Sequence, residues 1–477
     1  MKLKGLTDVE LSFRRRSGRT AHSTKVPYLV VQNFPELGLL TSLRFLEWVS
    51  ENPGGLISLP TGKTPEYFIK WTMRFLNDWA KPETRRIMED NGFSIRKKPS
   101  LQKLRFVQMD EFYPIDPRQQ NSFYNYVLNF YIKGFGLDPS GALLMNAENI
   151  ALYDGLHYSQ VFPDNRIDLT LRNREAITPL EKIQQASLFR IDNWCTEYEN
   201  RIREAGGIGF FLGGIGPDGS IAFNTRGSDQ NSTTRLTATN FESQAAAAGD
   251  LGGIEVSRKR LVLTIGLGTL TFNPDCTAIV FAAGEAKAQV IKNALENEPD
   301  NLFPATVLQR LKNARFYLTQ GAAIQLHDSV ERYYRRGDWS FEKTERAVFD
   351  LCRKIDKYAH NLELKDLKND EYCSLIPDLS LKVVRDVIES TKNKIEKGRV
   401  KENDQIFLHT GPHHDDIMLG IFSCIVPQLR IHTNRFHFAI LTSGFTAVTN
   451  KMLLNLMEET LSHIGQGKIQ MLRYPDF

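Results

Sequence analysis

Three short stretches hold residues whose types and spacing suit chemistry. Thr61-Gly62-Lys63-Thr64-Pro65 joins small residues, two hydroxyls and a cation. A helix starting there would aim free backbone N–H groups and its positive dipole end at an anion such as a phosphate. The stretch is not GxxxxGK[ST], so it is no Walker A loop, and an ordinary capped turn reads the same way. Asp110-Glu111 sets two carboxyls side by side after an apolar run. Burial and like charge raise the pKa of one member of such a pair, which suits proton transfer near neutral pH; exposed, the same pair is a solvated loop. Gly214, Gly216, Asp218 and Gly219 form a GxGxDG turn after IGFFL, with Ser220 where a helix would begin. Glycines here let a ligand approach the backbone, but the turn does not fit the GxGxxG dinucleotide fingerprint.

These turns need a frame. GLISLP (55–60), LRFVQM (104–109), IGFFL (208–212), RLVLTIG (260–266) and AIVFAA (278–283) are apolar runs of strand length ending near Gly or Pro. Continuous apolar runs suit strands covered on both faces, as in a parallel sheet. Amphipathic stretches alternate with them: after Pro65, Tyr67, Phe68, Trp71 and Phe75 recur at helical spacing. The fold class is therefore α/β. In open parallel sheets ligands sit at the carboxyl ends of strands, so the three turns converge on one pocket.

A chain of 477 residues suggests two or three domains. Residues 1–325 read as the first α/β domain. Residues 326–400 are charged and helical, and SLKVVRDVIESTKNKIEKG places Leu381, Val384, Ile388 and Ile395 on one face, with Gly398 as its stop. QIFLHT (405–410) and FHFAILTS (436–443) open a second, partial α/β domain over 401–477. Net charge is +4, too small to demand a nucleic-acid partner, and the basic clusters Arg14, Arg15, Arg16, Arg19 and Arg332, Arg335, Arg336 read as a solvated arm and a helix face. Five cysteines without a CxxC pair fit a reducing compartment. No stretch approaches the about 18 apolar residues of a membrane span, and the start lacks a signal-peptide core. The expectation is a cytoplasmic protein without membrane contact.

In order and spacing, LPTGKTP, MDEF, GGIGPDGSIAFN, LTIGLGTL and AGEAKA resemble the glucosamine-6-phosphate deaminase family across roughly residues 25 to 325. The resemblance implies a modified Rossmann-type parallel sheet with flanking helices. It also implies conversion of glucosamine 6-phosphate and water to fructose 6-phosphate and ammonia, with no metal or organic cofactor. By that match Asp110 moves a proton between C2 and C1 of the open-chain sugar, and Glu111 is its acidic neighbour. Thr61, Gly62, Lys63 and Thr64 form the phosphate-side turn, Lys63 standing at a more usual glycine, and Lys287 of AGEAKA matches a phosphate-binding lysine. Arg235 matches a region that binds an allosteric effector in some members. A further phosphate-binding arginine would fall in QAAAAGDLGG, which holds none. The implied partners are a small sugar phosphate and further copies of the chain.

The main departure lies in the third turn, where the family reads DGHIAFNE. Asp218 is kept, but Ser220 and Thr225 stand at the histidine and glutamate. A serine hydroxyl does not replace a poised imidazole as acid and base, so ring opening is expected to be impaired or altered, with His157 or Glu111 as groups that could be recruited. A non-catalytic sugar-phosphate-binding regulator and a 6-phosphogluconolactonase-like hydrolase are the alternatives.

GPHHDDIMLG (411–420) follows the strand QIFLHT and resembles the PHPDDE-type motif of zinc-dependent N-acetylglucosaminyl deacetylases, the PIG-L/LmbE-like family. By that match His413 and Asp416 would bind zinc and Asp415 would be the base for its water. Only 61 residues follow Asp416, and His432, His437 and His463 sit in no matching motif for the third ligand, so weak or absent deacetylase activity is expected.

Overall fold

The apolar runs become strands because each is covered on both faces and satisfies its backbone groups laterally. The computed structural model describes residues 5–18, 24–119, 121–251, 257–441 and 450–466. The chain divides into two compact units, Met1–Asp328 and Ser329–Phe477. The strands of the first unit are β1 (Tyr28–Val31), β2 (Leu56–Ser58), β3 (Arg105–Val107), β4 (Asp110–Tyr113), β5 (Ala142–Leu143), β6 (Phe210–Gly213), β7 (Arg235–Thr237), β8 (Leu261–Thr264), β9 (Thr277–Ala282) and β10 (Arg315–Thr319).

Seven of these form a parallel sheet in the order β1-β10-β9-β6-β2-β3-β5. From β2 the chain runs outward through β3 to β5. From β6, which lies beside β2, it runs the other way through β9 to β10. The direction reverses between β2 and β6, so the loops leaving their carboxyl ends diverge and open a crevice. Alternate residues feed two cores. Tyr28, Val30, Phe316 and Leu318 pack on one face, where the helix Pro179–Glu204 contributes Leu188 and Ile191. Leu29, Val31 and Tyr317 pack on the other, with Leu43 of the helix Phe34–Glu51 and Phe68 of the helix Glu66–Asn77.

Two readings change in the first unit. Leu261–Thr264 of RLVLTIG is buried throughout like the parallel strands, yet as β8 it pairs antiparallel with β4 and β7 in a separate three-stranded sheet. Double-sided burial gives the same apolar run in either sheet, so the pattern does not sort them. Arg14 is not on a solvated arm: it is 7% exposed, on the helix Asp8–Ser17 whose Val9 and Phe13 enter the core. Arg19 lies outside the described residues.

In the second unit, Val348 and Leu351 of the helix Phe341–Ile355 pack with Val384 and Val387 of the helix Leu381–Arg399. Leu381 and Ile395, read as part of that face, are 43% and 56% exposed, because only the middle of the long helix is covered. Gly398 lies inside the helix rather than ending it. β11 (Ile406–Gly411) and β12 (Arg435–Ile440) pair in parallel, with the helix His414–Leu429 between them in sequence. Thr442 and Ser443 of FHFAILTS lie outside the described residues.

One buried carboxylate ties helix, sheet and turn together in the first unit. Glu199 is 5% exposed, and its oxygens accept from Thr234 N at 3.1 Å, Thr234 Oγ1 at 2.8 Å, Thr269 Oγ1 at 2.6 Å and Arg203 Nε at 2.7 Å. Burial pushes its pKa up, but the bonds from Thr269, Arg203 and Thr234 outweigh burial and leave it below the ordinary 4.5. Its contribution is therefore present above pH 4.5 and lost as pH falls through the lowered folded value. Glu199→Ala is expected to destabilise the chain by about 2–4 kcal/mol at pH 7, from stranded donors and a lost ion pair. Urea unfolding at pH 7 and pH 3 checks this: the deficit must shrink at the lower pH.

Candidate functional site

The crevice at the sheet reversal contains a pocket of about 390 Å³. Thr61, Gly62, Lys63 and Thr64 line it from the loop after β2, Gly214, Gly216 and Ser220 from the loop after β6, and Asp110 from the start of β4. Lys63 and Thr64 are exposed, so the rim is cationic and hydroxylic. The helix Glu66–Asn77 begins just behind them, its N-cap being Pro65, with no side chain bonded to the first N–H groups.

Asp110 is 6% exposed, and its Oδ1 has no hydrogen-bond partner. Burial first, and then the charge of Glu111, push its pKa up to about 8. Glu111 is 1% exposed but richly solvated by protein. Its Oε1 accepts from Phe112 N at 2.9 Å and Phe123 N at 3.1 Å; its Oε2 accepts from Tyr124 N at 2.7 Å and Ser122 Oγ at 2.8 Å. Burial pushes the Glu111 pKa up to about 7, and these four bonds keep it from going higher. Glu111 has the donors to keep a charge and Asp110 has none, so Asp110 is the member that carries a proton at neutral pH. Glu111 lies off the pocket wall and instead pins the segment 122–124.

Asp218 is also enclosed. Its Oδ1 accepts from Ser220 N at 3.2 Å, and its Oδ2 from Asn240 Nδ2 at 2.7 Å and Arg226 N at 3.3 Å. Burial pushes its pKa up, and the bonds from Ser220, Asn240 and Arg226 leave it below the ordinary value. Ser220 is 3% exposed and lies so near Gly216 that a Cβ there would stand 2.0 Å from the Ser220 Oγ. Gly219 adopts φ +85°, a conformation that favours glycine. The third turn is thus a folded unit held around Asp218, with Ser220 facing the pocket.

Of the remaining expected residues, Lys287 is half-buried beside Asp218 and off the wall of this pocket; burial lowers its pKa and the Asp218 charge raises it. Arg235 donates to Asn224 Oδ1 at 2.9 Å and to Ser228 Oγ at 3.3 Å. His157 caps a short helix through Ser159 and is not on the pocket wall. Phe112, Phe123 and Phe223 form an aromatic wall not read from the sequence, with ring centroids 4.9 to 6.4 Å apart, and Ala246 and Ala247 continue it. Phe223 stands next to the glycine-rich turn, but nothing in the chain marks Phe123 as its neighbour.

In the second unit, Asp416 Oδ2 accepts from His413 N at 2.9 Å as a helix cap, and Asp415 Oδ1 lies 2.5 Å from His413 Nδ1. Among the described residues no group of three or more His, Cys, Asp or Glu side chains is placed to hold a metal ion.

A parallel α/β sheet with a carboxyl-bearing pocket at its reversal point defines a small-molecule site. The relatives of the chain are glucosamine-6-phosphate deaminases. It is 35% identical to the glucosamine-6-phosphate deaminase of Borrelia hermsii over 150 residues, 31% of this chain and 54% of that one. It is 27% identical to the Homo sapiens glucosamine-6-phosphate deaminase 2 over 279 residues, 58% of this chain and 80% of that one. The match thus spans about half the length of the first relative and four-fifths of the second. A monomeric glucosamine-6-phosphate deaminase of known structure aligns at 21% identity and a TM-score of 0.46, covering 62% of this chain and 98% of that one. No family profile matches. No helix of the described residues is long and apolar enough to cross a membrane.

The buried Asp110 has a consequence for stability. Its folded pKa lies above the ordinary 3.8, so its favourable contribution is present below pH 3.8 and lost as pH rises through about 8. Asp110→Asn is expected to be more stable than the wild type at pH 9 by about 1–3 kcal/mol, because it removes an unpaired buried charge. Denaturation at pH 9 and pH 4 reads the difference, which must be larger at pH 9.

Proposed function

We propose that the chain acts on an amino-sugar phosphate, converting glucosamine 6-phosphate and water to fructose 6-phosphate and ammonia. The observation that carries this reading is Asp110, a buried carboxyl without a hydrogen-bond partner on the wall of a pocket whose rim is Lys63 and the Thr61–Thr64 turn. The phosphate dianion is held at that rim by the Lys63 cation and the N-terminus of the helix Glu66–Asn77. The open-chain sugar then lies with its C1 and C2 toward Asp110. Ionised Asp110 takes the proton from C2 and returns it to C1, while a proton passes from the substrate ammonium to O1, so the aldehyde carbon becomes an alcohol carbon and C2 an iminium carbon. Water adds to C2 and gives one proton to the amine; ammonia leaves, and loss of the second water proton forms the ketose.

Ser220 supports a slow version of this reaction. Its hydroxyl packs against Gly216 beside Asp218 and has no proton to exchange near neutral pH. Apart from Lys63, Asp110 is the one titratable side chain of the described pocket wall. Ring opening is left to solution, and the site consumes the open-chain fraction.

Release of ammonia and fructose 6-phosphate tests the proposal. Wild-type turnover should rise with pH through about 8, as Asp110 ionises. Asp110→Asn should lose about 10²-fold or more while still binding the sugar phosphate, and Ser220→His should raise turnover. A wild type that binds the sugar phosphate but releases no ammonia makes the chain a sugar-phosphate-binding regulator instead. Hydrolysis of a phosphogluconolactone with no deamination makes it a lactonase.

A further inference from the structure

The turn Ile221–Asn224 forms the inner wall of the pocket: Ala222 and Phe223 face the ligand space, and Ser220 precedes them. Ala222 adopts φ 50°, in the left-handed region that a residue with a Cβ avoids unless its surroundings hold it there. The holding contacts are specific. Asn224 is 1% exposed; its backbone N donates to Ile221 O at 3.1 Å, and its Nδ2 donates to Ile221 O at 3.0 Å and Ile265 O at 2.8 Å. Phe223 N donates to Thr264 Oγ1 at 3.2 Å.

A side-chain amide has two ends of nearly equal shape and opposite polarity. Turned over, the Asn224 oxygen would face two carbonyl oxygens. The right way round, that oxygen points away from them and accepts from Arg235 Nη1 at 2.9 Å and from Ser232 Oγ at 3.4 Å. A cationic donor makes the stronger of such bonds. Arg235 reaches this position because Asp110, Thr264 and Arg235 stand opposite one another across β4, β8 and β7. Directly opposed residues share a face of the sheet, two strand spacings making about 10 Å between the outer pair. Arg235 is not on the pocket wall, and its other donors go to Ser228 Oγ at 3.3 Å and Thr233 O at 3.3 Å.

We propose that Arg235 is a positioning residue: by fixing the orientation of the Asn224 amide it holds the left-handed turn at Ala222 and so places Phe223 and Ser220 opposite Asp110. This rests on the pocket being the sugar-phosphate site, and the test separates the two. Hydrogen exchange read by mass spectrometry is measured over residues 220–226 in the full wild-type chain, in Arg235→Ala and in Arg235→Lys. Kinetics with glucosamine 6-phosphate are measured beside it. Arg235→Ala should exchange faster at residues 221–224, with the helix Pro179–Glu204 unchanged. Its kcat/KM should fall about 10- to 100-fold with the same pH profile, since Asp110 is untouched. Arg235→Lys, which keeps a cationic donor, should recover part of both, and serves alone if the alanine variant does not fold. Unchanged exchange at 221–224, or faster exchange spread through the whole chain, overturns the positioning role. A wild type without turnover or affinity for glucosamine 6-phosphate overturns the functional reading instead, while the exchange result still decides the role of Arg235.

Discussion

Burying a carboxyl without a donor costs free energy, and the pocket of the first unit holds a residue at which that cost is accepted. Asp110 begins β4, shielded by the pocket walls and by the strand partner Thr264 of β8. It has no hydrogen bond to Oδ1 and a charged neighbour in Glu111. Such a group is stable in its protonated form and reactive once ionised, the property that proton transfer at carbon requires. The surrounding sheet must be rigid enough to prevent water or a donor from relieving it.

Three other buried carboxylates of this unit show the contrast. Glu111, Asp218 and Glu199 each accept several hydrogen bonds, and each organises the backbone that supplies them. Glu111 draws in the segment 122–124 and with it Phe123, which joins Phe112 and Phe223 in one wall. Asp218 closes the glycine-rich turn, and Glu199 joins the helix Pro179–Glu204 to Thr234, just before β7, and to Thr269. Similar side chains thus serve as frame or as reactive group, and the number of donors in reach decides between them.

Much of the frame was legible in the chain. Apolar runs marked the strands β2, β3, β6 and β9, and turn residues marked their ends, because burial on both faces and sharp reversals each demand particular residue types. The convergence of Thr61–Thr64, Asp110 and Gly214–Ser220 followed from the rule that ligands sit at the carboxyl ends of parallel strands. The separate antiparallel sheet was not legible, since β8 carries the same apolar pattern as a parallel strand. Neither was the exposure of Leu381 and Ile395, because helical periodicity says which residues share a face but not how far a neighbour covers it.

The sequence by itself determined which residues stand at the strand ends, a local fact set by composition and spacing. Its resemblance to the deaminases added that Ser220 stands at the position of their histidine. Only the tertiary structure decided that Asp110 and not Glu111 lacks donors, that Arg235 reaches Asn224 rather than the pocket, and that Lys287 stands beside Asp218. Hydrogen-bond supply and desolvation depend on groups brought together from distant parts of the chain. No spacing along the sequence encodes them.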